Sequence, residues 1–260
     1  MSDADIQTLI GSVPEWAFAL MLVISRVGSL CMLLPGLGEA EVPMNIRAGM
    51  ALLLTILVLP LLAQDLPAMP ASLISLLSWI AGEIMVGLWL GWLARLPMLA
   101  LPIAGQFAAG ALGLSNVLQP DPLLGPQSSA LSRLLGLAAP ILMLTSGLYL
   151  LPLTAVVTSY RLFVPGAWLA GGDLALSVTD AVSDSFALSL QLGAPFVAAG
   201  MIWQIALGVT ARLVPQLQVY FAAMPGQIMG GLVLLGLLSA GMLESWQTNV
   251  ATNSLFGGIR

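Results

Sequence analysis

Five charged residues stand in or beside stretches that are otherwise oily: Arg26, Arg47, Glu83, Arg95 and Arg212. A lone charge at bilayer depth costs at least about 2.5–3.5 kcal/mol on insertion scales. Each of these groups must therefore face protein or water, not lipid. Chemistry beyond charge pairing is hard to assemble from this chain. It has no His, so it has no His-based triad and no HExxH metal site. No G-x-S-x-G elbow is present, and no Walker A loop. Carboxylates are scattered, and no two acids share a helical face within a long predicted span, so a metal site has no frame. The residues argue against an enzyme and predict neither cofactor nor metal.

Composition fixes the class. Seven basic residues, all Arg, and twelve acidic ones leave a net charge of −5, and only 7% of the chain is charged. Hydrophobic residues make up 59% and the mean hydropathy is +1.01. A soluble domain carries about 25% charged residues. The chain is therefore expected to be an all-α membrane protein in contact with lipid. Nucleic acid as a partner is excluded, because it needs a basic footprint. The single Cys31 has no internal disulfide partner. The start, MSDADIQTLIGSVPEWAF, has acids and no base, unlike the n-region of a signal peptide. It is expected to be an amphipathic lead-in with Ile6, Leu9 and Ile10 on one face.

These residues need long helices to position them. Charge-free runs cover Leu96–Pro120, Leu134–Tyr160, Ser185–Ala211 and Leu213–Leu243, and a hydrocarbon core takes roughly 20 apolar residues in helical form. Backbone in lipid must satisfy itself, which leaves helices or closed barrels. The runs are continuously apolar rather than alternating, so helices are expected. Their expected bounds are Trp16–Leu34, Arg47–Leu62, Ala71–Ala100, Pro102–Leu118, Leu131–Tyr160, Asp184–Leu213 and Gln216–Glu244. Ser72 and Asp184 are the expected N-caps. Pro97, Pro102, Pro140, Pro152 and Pro195 inside these runs predict kinks. With four of its arginines inside or against spans, the chain offers the positive-inside rule too little to count.

Small residues recur four apart: Gly87 and Gly91; Gly105, Ala109 and Gly113; Gly226 and Gly230. Such spacing lets backbones approach closely, within one subunit or between subunits. Glu83 and Arg95 share a predicted helix but lie about 18 Å apart along it, so each needs a partner elsewhere. The stretch Gly105–Ser132 is too polar and too rich in Gly and Pro for a lipid-facing helix. It fits either a surface loop or a loop folded into a pore.

The order of motifs along the chain resembles the FliR family, the export-gate subunit of flagellar type III secretion, whose pattern the injectisome homologues share. The resemblance rests on Arg26 with Pro35-Gly-Leu-Gly, then Val42-Pro-Met-Asn-Ile-Arg47. It continues with Glu83, Gly87 and Gly91, the Gly/Ala-rich stretch before Pro120, Gly147 near Pro152, and Arg212-Leu-Val-Pro-Gln216 followed by Pro225. It implies a non-enzymatic subunit in the bacterial inner membrane, at the flagellar basal body. There it would assemble with FliP and FliQ, meet an FlhB-like component and pass unfolded secreted proteins. It implies a FliP-like part over 16–183 and a FliQ-like helical hairpin over 184–245, with helices largely outside the ordinary bilayer plane. It also implies a channel plug near 110–127, including Gly110, Gly113, Leu114, Ser115, Asn116, Val117, Leu118 and Gln119. Arg26, Arg47, Glu83, Arg95, Arg212 and Gln216 become intersubunit or buried polar positions. The sequence departs from the pattern at Gly226-Gln227, where the family often carries a basic residue. The alternative function is a secondary transporter of a small solute, though no inverted repeat and no paired intramembrane acids are present.

Overall fold

The computed structural model describes residues 3–62, 66–114, 129–166, 171–214 and 218–252. All regular structure among them is α-helical, in seven elements: α1 (Asp3–Leu33), α2 (Met44–Leu62), α3 (Leu73–Ala111), α4 (Ala130–Thr145), α5 (Leu150–Leu162), α6 (Gly171–Leu213) and α7 (Val219–Thr252). Five of these are long and apolar enough to cross a membrane, and the broken α4–α5 pair gives a sixth if counted as one span. At 1.5 Å per residue, the 39 residues of α3 reach about 59 Å and the 43 residues of α6 about 65 Å. A hydrocarbon core is roughly 30 Å thick, so both helices run well past one crossing.

The chain divides into two compact units. Among the described residues, the first holds those within 3–95 and 147–179, and the second those within 96–146 and 180–252. In the first, Val23, Val27, Leu30, Cys31 and Leu34 line one stripe of α1. They join Ala51 and Leu62 of α2, Val86, Leu90 and Ala94 of α3, and Ala155, Val156 and Tyr160 of α5 in a single core. Spacings of three and four residues place such side chains on one helix face. In the second unit, the buried positions of α3 are Ala100, Leu101, Ala104 and Ala108, and those of α6 are Ala181, Leu188, Leu192 and Phe196.

Several boundaries differ from the sequence expectation. The expected Ala71–Ala100 helix and the beginning of the expected Pro102–Leu118 helix are one element, α3, which ends at Ala111 and has Pro97 and Pro102 inside it. Each proline removes one helix hydrogen bond, to Leu93 O and Met98 O, and side chains of other helices donate to neighbouring carbonyls. Ser185 Oγ donates to Leu96 O at 2.6 Å, Trp246 Nε1 to Pro97 O at 3.0 Å and Ser132 Oγ to Pro102 O at 2.7 Å. Conversely, the expected Leu131–Tyr160 helix breaks at 146–149, where Gly147 takes a φ of 77°. That left-handed conformation ends a helix and suits Gly. Asp184 is not an N-cap, because α6 already starts at Gly171. This earlier start also puts Asp180 and Asp184 four apart on one exposed face of α6, contrary to the expectation that no two acids share a helical face.

Candidate functional site: a buried charge node and the end of α3

Arg26 is 1% exposed and Glu83 2%, and they meet. Glu83 sits ten residues into α3, and Arg26 lies two turns before the end of α1. Arg26 Nε donates to Glu83 Oε2 at 2.7 Å and Nη2 to Oε1 at 2.8 Å, a two-pronged pair. Nη1 donates to Ser159 Oγ at 3.0 Å and Nη2 to Phe163 O at 2.8 Å. The guanidinium also lies 3.8 Å from the centre of the Tyr160 ring. One side chain thus gathers α1, α3 and α5. Phe163 is the C-cap of α5, so its carbonyl lies at the end of the helix that favours a cation. The arrangement is rigid rather than reactive. The carboxylate is fully engaged, and the charge is compensated where an unpaired one costs most.

Close packing puts the pair in register. A Cβ on Gly87 would run into Arg26 O and Ser29 Oγ, so the absence of a side chain lets α1 and α3 touch one turn beyond Glu83. Gly91 repeats this against Leu30 and Leu33. Both glycines therefore pack within the chain.

The other charges fall elsewhere. Arg95 Nη2 lies 3.3 Å from Glu39 Oε2, with both side chains about one-third exposed. Arg47 Nε donates to Val42 O at 3.0 Å, and its Nη2 to Glu39 O. Two arginines from α2 and α3 thus hold the turn between α1 and α2. Arg212 is exposed in the last turn of α6. Gln216 lies outside the described residues, as do Ser115, Asn116, Val117, Leu118 and Gln119 of the expected plug. Gly110, Gly113 and Leu114 are described and form the end of α3 and its terminal turn. No group of three or more His, Cys, Asp or Glu able to hold a metal occurs among the described residues.

Sequence reasoning did not find Ser159, Tyr160 or Phe163 O as partners of Arg26. They lie more than 130 residues away, and nothing in the local pattern marks them. Glu39, the partner of Arg95, carried a signal only in being one of twelve acids.

Long apolar helices with a fully paired internal charge define an α-helical integral membrane protein. Residues 17–252 match the family model of bacterial export proteins, family 1, and the chain belongs to that family. It is 31% identical over 225 residues to the flagellar biosynthetic protein FliR of Caulobacter vibrioides, covering 86% of this chain and 90% of that one. It is 29% identical over 220 residues to FliR of Bacillus subtilis, with 84% of each chain covered. It is also 27% identical over 229 residues to the secretion system apparatus protein SsaT of Salmonella typhimurium, covering 87% and 88%.

Proposed function

We propose that this chain is a non-enzymatic subunit of the flagellar type III export gate, assembling with FliP-like and FliQ-like subunits and meeting an FlhB-like component. In the inner membrane, at the flagellar basal body, the assembly passes unfolded proteins. The carrying observation is the family match along nearly the whole chain, with a relative named FliR at 31% identity over 90% of its length. The charge pattern supports the reading. Glu83, buried within the apolar run of α3, has both oxygens committed to Arg26 and offers no free carboxylate to a coupling ion. In this reading residues 16–183 are the FliP-like part and 184–245 the FliQ-like hairpin. Gentle extraction of a tagged chain from native membranes tests it. The expected result is co-purification with two other small membrane proteins. Recovery as a monodisperse monomer or homodimer supports a solute transporter instead.

The same reading assigns the channel plug to residues 110–127. Support comes from composition: few large side chains, several amides and hydroxyls, and Leu114, Val117, Leu118 and Leu123 for an oily seal. Deleting Ser115–Gln119 is expected to leave the complex assembled and raise its ion permeability. Wild-type permeability in an assembled complex places the seal on another subunit.

A further inference from the structure

The last four carbonyls of a helix lack in-helix donors and must find others. At the end of α3 the account closes in an unusual way. Leu112 N donates to Ala108 O at 2.9 Å, Leu114 N to Ala109 O at 2.9 Å and Gly113 N to Gly110 O at 3.4 Å. These three come from the chain's own terminal turn. The fourth carbonyl, Ala111 O, faces Gln227 Nε2 of α7 at 3.5 Å. The same carboxamide covers Gly113. A Cβ there would lie 2.8 Å from Gln227 Nε2 and 3.0 Å from its Cδ. Gly113 has a φ of 73°, so glycine is required twice, for the left-handed turn and for the room the amide occupies. One turn further along α7, a Cβ on Gly231 would lie 3.0 Å from Leu112 Cβ.

We propose that Gln227 is a positioning residue: its amide N–H completes the cap of α3 and holds the terminal turn Leu112–Leu114 against α7. This rests on the export-gate reading, in which the segment after α3 seals the channel. Leu114 and Gln227 then act together: the turn places the first residue of the seal, and α7 holds the turn.

The test uses the complex in native membranes, with Cys31→Ala and the pair Leu112→Cys and Gly231→Cys as a reporter of α3 against α7. Oxidation should link the pair nearly fully when Gln227 is present. Gln227→Leu and Gln227→Glu, which keep the bulk and remove the donor, should lower the linked fraction at least about fivefold. Gln227→Lys, which keeps a donor, should restore it. Ion permeability of the assembled complex, measured without the reporter cysteines, should rise in the Leu and Glu variants and return with Lys. An unchanged linked fraction in both donorless variants overturns the proposal, as does a loss with Lys as large as with Leu. A lower linked fraction with unaltered permeability supports the latch and counts against the plug reading alone.

Discussion

Replacing Glu83 by Leu should be more damaging than replacing Arg26 by Leu, and replacing both should be better than replacing Glu83 alone. The structure sets the scale. Glu83→Leu deletes two of the four hydrogen bonds of Arg26 and its counter-charge, leaving Ser159 Oγ, Phe163 O and the Tyr160 ring. Breaking a buried pair from one side costs about 3–5 kcal/mol. At about 1.4 kcal/mol per decade, that is roughly a 10²–10⁴-fold loss in the folded fraction. The stranded guanidinium has no escape, because arginine is not deprotonated in proteins. Arg26→Leu strands a carboxyl that can take up a proton, so its cost should sit at or below the low end of that range. The double Leu variant buries apolar groups in place of charges and should recover most of the loss. The assay is the membrane level of each variant and its thermal midpoint after extraction of the complex in mild detergent. The reasoning fails if Glu83→Leu matches the parent in both measurements, or if the double variant falls below either single one.

Other substitutions test the packing and the exposed tip. Gly87→Ala should lower the thermal midpoint, since overpacking costs about 1–3 kcal/mol and the new Cβ meets backbone at Arg26 O; Gly82→Ala, which faces open space, should stay within about 0.5 kcal/mol of the parent. Trp246→Phe removes the donor to Pro97 O from a fully buried ring; the carbonyl keeps its helical position, so the loss of this one hydrogen bond should cost about 0.5–1.5 kcal/mol in the same assay. Arg212→Ala should leave assembly intact, because complementing the end of α6 is worth about 0.3–1 kcal/mol at most. A severe secretion defect in that variant marks a functional contact at the tip, whereas normal secretion leaves Arg212 as a cap only.

The amino-acid sequence alone determined that this is an all-α membrane protein. That follows from local quantities: apolar runs longer than a bilayer needs, no Lys, and charges too costly to face lipid. It also required Arg26 and Glu83 each to have a partner, and set Gly87 four residues from Gly91 on one helix face. The identity of the partners was decided by tertiary structure. Arg26 and Glu83 are 57 residues apart and Ser159 is 133 from Arg26, and a hydrogen bond across such distances leaves no periodic trace. The same holds for helix continuity. The sequence reads Pro97 as a kink and Pro102 as the start of a new helix because a proline withdraws a donor, yet α3 runs through both, with Ser185, Trp246 and Ser132 donating to nearby carbonyls. The Leu131–Tyr160 run reads as one helix, because apolar continuity carries no information about backbone handedness; it ends at Gly147, where φ turns positive. Local composition sets which solvent each segment tolerates. Only the packed chain sets which groups complete one another's hydrogen bonds.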